Sequence, residues 1–131
     1  VLAGGPGDDD SGRAYVLAKN GTTWIQQADL MGTDTGEGDD FGLSVSISSS
    51  TILVGAPLHM VGTNVQQGAA YVFTKSGTAW KQASELTASD GATSDLLGYS
   101  VSDSGTTALV GAPEHNIGND QSQGAAYIFA S

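Results

Sequence analysis

Apolar and polar residues alternate in short runs along this chain, with the period of two that is typical of β-strands. Residues 41–47 read FGLSVSI, with apolar side chains at every second position, and predict a first strand. Residues 51–56 (TILVGA) are a continuous apolar run closed by Pro57. Because a polar residue on either face of a covered strand is costly, this run predicts a second strand that is buried on both faces.

Two more strands complete the pattern. Residues 68–75 (GAAYVFTK) predict a third strand and residues 79–86 (AWKQASEL) a fourth, joined by a tight turn at 75–78 that contains a glycine. No segment shows apolar residues at the i, i+3, i+4 and i+7 positions of a helix. Strands spaced by about 8–14 residues with turns between them predict an all-β fold.

The whole pattern recurs at an offset of 56 residues. Residues 12–52 match 68–108 at 18 of 41 positions, and residues 53–75 match 109–131 at 13 of 23 positions. Four antiparallel strands per ~56-residue unit are the arrangement of a β-propeller blade. A Greek-key sandwich is the alternative, and the gapless repeat disfavours it.

The repeat divides the chain into one array with three parts. Residues 1–40 are predicted to be a partial blade with strands two to four, residues 41–96 a full blade, and residues 97–131 a partial blade with strands one to three. The array therefore holds about two and a half blades. Open blade faces and sheet edges are costly, so we expect these residues to belong to a larger propeller or to assemble with copies of themselves. Gly42 and Gly98 are predicted to lie where two backbones approach closely.

The segments DFGLSVS, LVGAP and GAAYVF between residues 40 and 73 resemble the FG-GAP repeat of integrin α-chain propellers and their bacterial and algal relatives. The second copy departs from it at 96–98 (LLG), and the first has AGGP at 3–6 in place of GAP. The resemblance covers essentially the whole chain and implies a β-propeller. It is less specific for function, because such repeats occur in adhesion receptors, lectins and accessory domains of enzymes.

The resemblance also implies a calcium loop of the DxDxDG kind between the first and second strands. Here the loops are 47–51 and 103–107, and Asp103 is their one carboxylate. Calcium takes six to eight oxygen ligands, so we do not carry this site over to the chain.

Other acidic residues recur in the loop before the first strand and are the metal candidates. They are Asp34, Asp39 and Asp40, with Asp90 and Asp95 in the next unit. Two carboxylates five residues apart in a glycine-rich turn can share a cation, and calcium is the candidate. The alternative, which we favour, is that these aspartates cap turns by accepting backbone N–H bonds. Residues 8–10, three adjacent aspartates, are expected to be solvated.

His59 and His115 occupy the same repeat position, two residues after the proline of the GAP motif. We expect each histidine to hydrogen-bond its own loop, and we expect the same of Gln67 and Gln123. The chain has no GxSxG, HExxH or glycine-rich phosphate loop, and we predict that it is not an enzyme.

Charge and composition narrow the class of partner. The chain has 14 acidic and 4 basic side chains and a formal net charge of −10, which argues against binding nucleic acid phosphates or an anionic membrane surface. It has no cysteine, and thus no disulfide or thiolate chemistry. No apolar run approaches the ~18 residues of a membrane helix, so no membrane insertion is expected.

Together these features predict an extracellular or cell-surface FG-GAP-type module for binding or adhesion to a protein or glycan partner. The alternatives are a structural subunit of a surface filament or coat and a non-catalytic propeller of a larger enzyme. Recognition is expected in the variable loops 6–12, 33–40, 58–67 and 114–123. Asn20-Gly21-Thr22 fits both a glycosylation sequon and a preferred hairpin turn.

Overall fold

The structure is a computed structural model that describes residues 2–5 and 11–131. The described residues form ten strands and no helix, so the predicted all-β class is confirmed. The strands are β1 (Leu2–Gly5), β2 (Arg13–Asn20), β3 (Thr23–Leu30), β4 (Ser44–Ser48), β5 (Thr51–Ala56), β6 (Ala69–Ser76), β7 (Ala79–Leu86), β8 (Ser100–Asp103), β9 (Thr107–Ala112) and β10 (Ala125–Ala130). The predictions made for Val1 and for residues 6–10 lie outside the described residues.

The strands form three antiparallel sheets in which neighbours in space are neighbours in the chain. Their orders are β1-β2-β3, β4-β5-β6-β7 and β10-β9-β8. This meander is the topology of propeller blades. In the four-stranded sheet, Val54 pairs with Tyr71, and Tyr71 pairs with Glu85 on the outermost strand. The register therefore places Tyr71 and Glu85 side by side on adjacent strands.

Most predicted strand boundaries agree with the structure, and one is wrong. Strands β5 and β7 have the predicted bounds, and β6 begins and ends one residue later than predicted. Strand β4 begins at Ser44 instead of residue 41. Asp40 and Gly42 have φ of 57° and 95°, in the left-handed region, and the Leu43 amide donates to the Asp40 carbonyl. A turn at these residues therefore replaces the start of the predicted strand.

Two apolar cores lie between the three sheets, one at each blade junction. Strand β5 contributes to both, since alternate side chains of a strand point to opposite faces. Ile52 and Val54 pack toward the first blade, with Phe41, Tyr71 and Phe73. The other face packs toward the third blade, in a core that contains Leu53, Ala70, Leu97, Val110 and Ala112. The prediction that residues 51–56 are buried on both faces is confirmed for 52–56.

The inner strands of adjacent blades meet backbone to backbone. A Cβ atom added to Gly4 would overlap the Gly42 carbonyl oxygen, and one added to Gly55 would overlap the Gly98 carbonyl oxygen. The Ser44 hydroxyl also donates to the Gly98 carbonyl at 2.7 Å. The predicted close approaches at Gly42 and Gly98 are thus confirmed, and they fix how the loops of one blade meet those of the next.

Candidate functional site: histidine–aspartate clusters at the blade junctions

The loop between β5 and β6 and the loop between β9 and β10 have the same backbone hydrogen bonds. In each, the histidine amide donates to the alanine carbonyl that ends the preceding strand, and the histidine carbonyl accepts from the glycine before the next strand. Each loop also contains an isolated two-residue bridge, Val61 with Asn64 and Ile117 with Asp120. These bonds hold His59 and His115 at the base of their loops, where both are buried.

One nitrogen of the His59 ring is bound by the loop that precedes its own blade. Its Nδ1 lies 2.7 Å from Asp39 Oδ2, and the same carboxylate oxygen accepts the Gly36 amide at 2.9 Å. The Leu58 amide also donates to the Asp39 carbonyl, so the two loops are joined through backbone as well. The turn-capping role that we favoured for Asp39 is therefore present in the structure.

Each histidine hydrogen-bonds its own loop through its backbone, as expected, but its ring bonds a different loop. The backbone N–H and C=O of His59 are already used within the loop, and blade packing brings Asp39 to the ring instead. Gln67 does bond locally: it is buried, its Oε1 accepts from Asn64 at 2.8 Å, and its Nε2 donates to the Ala88 carbonyl at 3.4 Å.

Two more carboxylates stand at the other ring nitrogen. His59 Nε2 lies 3.6 Å from Asp34 Oδ2 and 3.7 Å from Glu85 Oε1. The Tyr71 hydroxyl donates to Asp34 Oδ1 at 2.9 Å, and the Tyr71 ring lies edge-on to the histidine with centroids 6.0 Å apart. One atom each of Asp34, His59 and Glu85 lies within 4.8 Å of the others, which makes them candidate metal ligands.

The pKa values of two groups in the cluster, Glu85 and Tyr71, are raised. Burial raises the pKa of the Glu85 carboxyl, and the negative charge of Asp34 raises it further. Burial also raises the pKa of the Tyr71 hydroxyl well above its ordinary value, and the hydrogen bond to Asp34 acts in the same direction. Both shifts favour the neutral, protonated form of the group.

The next blade junction repeats this cluster. His115 Nδ1 lies 2.7 Å from Asp95 Oδ2, and His115 Nε2 lies 3.6 Å from Asp90 Oδ2. The Asp95 carboxylate caps its turn by accepting the Ala92 amide at 2.7 Å. The Tyr127 hydroxyl donates to Asp90 Oδ1 at 2.9 Å, and burial together with this bond raises the pKa of Tyr127 to about 12. Among the described residues, no second carboxylate reaches His115 Nε2 as Glu85 reaches that of His59.

The five predicted metal candidates fall into three structural roles. Asp34 and Asp90 face the outer nitrogen of their histidine, and Asp39 and Asp95 bond the inner nitrogen. Asp40 has left-handed backbone geometry, and in the next unit Leu96 has the same geometry with φ of 59°. Metal binding by these aspartates remains a prediction.

The sequence reasoning missed Glu85 and Tyr71 as members of the cluster and did not connect His59 to the aspartates. The available signal was their co-recurrence: His, Tyr and the two aspartates repeat together at the 56-residue offset.

The loop that corresponds to the integrin-type calcium site has another role here. Asp103 Oδ1 accepts the Gly105 amide at 2.9 Å, and Asp103 Oδ2 accepts the Ser48 hydroxyl of the adjacent blade at 2.8 Å. One carboxylate with both oxygens used in this way does not fit a calcium cage of six to eight oxygens.

Fold and junction geometry together define a repeat module of the β-propeller type. A family model described as the FG-GAP repeat matches residues 24–73 and 80–129, and the chain belongs to this family. Each matched segment starts in the fourth strand of one blade and ends in the third strand of the next. A search of curated proteins finds no significant match. FG-GAP repeats are generally non-catalytic and are often involved in ligand binding.

In the described part of the chain, no helix is long and apolar enough to cross a membrane.

Proposed function

We propose that this chain is part of an extracellular binding module whose loops 58–67 and 114–123 contact a glycan or protein partner. The observation that carries the proposal is that the two loops share one backbone conformation but present different side chains. Loops of variable sequence on a rigid scaffold are where binding residues concentrate.

The shared conformation is held by repeated backbone geometry. Gly62 and Gly118 have φ of 59° and 61°, and Gln66 and Ser122 have φ of 57° and 51°. Glycine tolerates this left-handed region at no steric cost, which accounts for its presence in both loops. The backbone of each loop is therefore preorganised, and ordering it costs little free energy when a partner binds.

The exposed side chains at the loop tips differ in chemistry. Met60 and Val65 in the first loop are 54% and 53% exposed, while the corresponding positions in the second loop are Asn116 and Gln121. The first tip thus offers two apolar side chains at these positions, whereas the second offers amide groups beside the exposed Ile117. This contrast suits selective recognition of one partner better than a common structural role.

A groove of about 310 Å³ lies between these two loops and the loop that joins β7 to β8. Its polar lining includes Gln66, Ser94, Glu114, Asn116 and Gln121. Amides and hydroxyls both donate and accept hydrogen bonds, as sugar hydroxyls require. No lysine or arginine of the described residues lines the groove, which disfavours anionic ligands, so a neutral glycan is the partner that we favour.

Extracellular location is supported by composition and by the family. The chain is acidic and rich in glycine, and FG-GAP repeats typically occur in extracellular proteins.

Adhesion of protein-coated beads to cells tests the proposal. We expect beads to bind, and we expect Asn116→Ala combined with Gln66→Ala to reduce binding by at least about tenfold, or about 1.4 kcal/mol. Ile47→Ser is the matched control, because Ile47 is exposed but lies at the opposite end of β5 from these loops. Periodate treatment of the cells abolishes binding to a glycan, and protease treatment abolishes binding to a protein.

Two results would contradict the proposal. One is the absence of bead adhesion under all conditions, and the other is equal loss of binding in the loop variant and in Ile47→Ser. If the protein instead sediments as polymers without any added partner, the alternative role as a structural subunit of a filament or coat is favoured. The exposed face of the third blade, with Leu109 and Ile128, would be the assembling surface in that case.

A further inference from the structure

We infer that His59, Asp34 and Glu85 form a binding site for a divalent transition-metal cation of the zinc type, at the junction of the first and second blades. The three side chains come from three different segments: the loop before β4, the loop after β5, and strand β7. The site goes beyond the proposed recognition of a glycan or protein, because it lies at the base of loop 58–67 and needs no partner to form.

The spacing of the three ligand atoms fits such an ion. A tetrahedral zinc ion with bonds of about 2.0–2.1 Å separates its ligand atoms by roughly 3.3–3.4 Å. His59 Nε2 lies 3.6 Å from the Asp34 oxygen and 3.7 Å from the Glu85 oxygen. Both distances from His59 Nε2 thus exceed the ligand separation around zinc by only a few tenths of an ångström, and the three ligand atoms all lie within 4.8 Å of one another. The partly exposed Asp34 and Glu85 side chains leave the fourth position open to water.

A direct hydrogen bond between His59 Nε2 and one carboxylate accounts less well for these distances than a shared metal ion does. On the other side of the ring, Asp39 approaches Nδ1 to 2.7 Å, as a charge-assisted hydrogen bond should. At Nε2 two carboxylates stand at nearly equal distances, and both lie beyond hydrogen-bond range. Two carboxylates at nearly equal distances from one buried nitrogen are an arrangement that a shared cation would stabilise.

Two of the three ligands are held in position by a second group. The Asp39 carboxylate can only accept a hydrogen bond, so Nδ1 of His59 is the donor and the Nε2 lone pair is left for the metal. The Tyr71 hydroxyl binds one oxygen of Asp34 and leaves the other facing Nε2. A carboxylate on the far nitrogen of a ligating histidine is the usual outer partner in zinc sites, where it fixes the ring and raises its basicity.

The excess of negative charge at the site also favours binding of a cation. Asp34, Asp39 and Glu85 surround one imidazole, and no described lysine or arginine forms an ion pair with any of them. A divalent ion between these groups would balance the negative charge of the carboxylates.

The ligand set selects the class of metal. One imidazole nitrogen with two carboxylate oxygens suits zinc and neighbouring transition metals. Calcium requires six to eight oxygens and does not favour imidazole. The site therefore differs from the calcium expectation for Asp34 and Asp39, in which both carboxylates would coordinate the ion; here Asp39 orients the histidine.

The cluster at His115 provides a control for the His59 site within the same chain. It has the same inner aspartate, outer aspartate and tyrosine, but no described carboxylate corresponds to Glu85. Two ligands with an Asp90 side chain that is 64% exposed bind an ion far more weakly than three. We therefore expect one zinc ion per chain and not two.

Zinc titration by calorimetry, with no partner present, tests the inference. We expect one site, with affinity lowered by about 10–100-fold or more in Glu85→Gln and in His59→Gln, and unchanged in His115→Gln. Glu85→Gln is the more informative variant, because its partly exposed side chain can change without disturbing the core, whereas His59 is buried. Cobalt substitution provides a second readout, since a tetrahedral site gives intense visible absorption that Glu85→Gln should remove.

Three outcomes would overturn the site. They are the absence of zinc binding at millimolar concentration, equal weakening by His59→Gln and His115→Gln, and calcium binding that survives His59→Gln and that zinc does not displace. If zinc does not bind, the bead-adhesion result is unaffected, because bead adhesion depends on the loop tips and not on the cluster below them.

Discussion

Strands β5 and β9 have nearly the same sequence, TILVGA and TALVGA, and very different surroundings. Five of the six residues of β5 are buried, whereas burial alternates along β9. Leu53 is fully buried and its counterpart Leu109 is 44% exposed. The third blade covers the outer face of the second, and no described residue covers the same face of the third. Burial of both faces is therefore a property of the neighbouring blade and not of the strand.

The two histidine clusters repeat this contrast on a smaller scale. Both have a histidine between two aspartates, with a tyrosine bound to the outer aspartate. Only the first receives a carboxylate from a fourth strand, Glu85, within the described residues. The fourth strand of a blade thus completes the cluster as well as the sheet.

The largest difference in stability is expected when the paired leucines, Leu53 and Leu109, are each replaced by alanine. Leu53→Ala removes a fully buried side chain and should lower the free energy of unfolding by about 2–5 kcal/mol. Leu109→Ala changes a partly exposed position and should have an effect within about 1 kcal/mol. Urea unfolding of both variants measures the difference. Equal losses would mean that the face of the third blade is covered in solution.

A smaller loss of stability is expected at the paired glycines, Gly55 and Gly111. Its cause is overpacking and not a cavity. The added methyl group of Gly55→Ala would meet the Gly98 carbonyl of the next blade and should destabilise the protein by about 1–3 kcal/mol. At Gly111 the described atom nearest to the methyl would be the Ser100 hydroxyl oxygen, which can rotate away. Gly111→Ala should be neutral or slightly stabilising, because it restricts the unfolded chain.

Thermal unfolding of the two glycine variants makes this comparison directly. A melting temperature for Gly55→Ala equal to that of the unmodified protein would show that the blades can separate at no cost, which contradicts backbone contact at the junction.

The paired tyrosines are expected to affect stability only at alkaline pH, and to have no effect near neutral pH. The folded state raises the pKa of both hydroxyls, Tyr71 by more than Tyr127. Above about pH 10 the unfolded state loses the proton and the folded state keeps it. The free energy of unfolding should then fall as pH rises through this range, by about 1.4 kcal/mol per pH unit for one fully retained proton. Below pH 10 this contribution to stability is fully present.

Phenylalanine substitution separates the two tyrosines. Tyr71→Phe should remove more of the alkaline loss of stability than Tyr127→Phe, because Tyr71 is buried among three carboxylates. Unfolding curves between pH 9 and 12, measured with a chelator present, test this order. The reverse order would show that the Asp34–Tyr71 bond is not formed in solution.

Much of the fold was predictable from local pattern. The period of two, the glycine turns and the 56-residue repeat predicted the bounds of β5 and β7 and the all-β class. The start of β4 was not predictable in this way, because Phe41 and Leu43 continue the alternation while Asp40 and Gly42 adopt left-handed geometry. That geometry follows from the contact of Gly42 with the preceding blade, which a period in the sequence does not contain.

The sequence by itself determined the repeating unit, its strands and the family, because these depend on spacing along the chain and on side-chain period. Only the tertiary structure decided which faces are buried and which polar groups meet. His59 contacts carboxylates that lie 20, 25 and 26 residues away in the chain, at Asp39, Asp34 and Glu85. These contacts depend on strand register and on how closely glycine lets two blades approach, and both are set by packing across the junction.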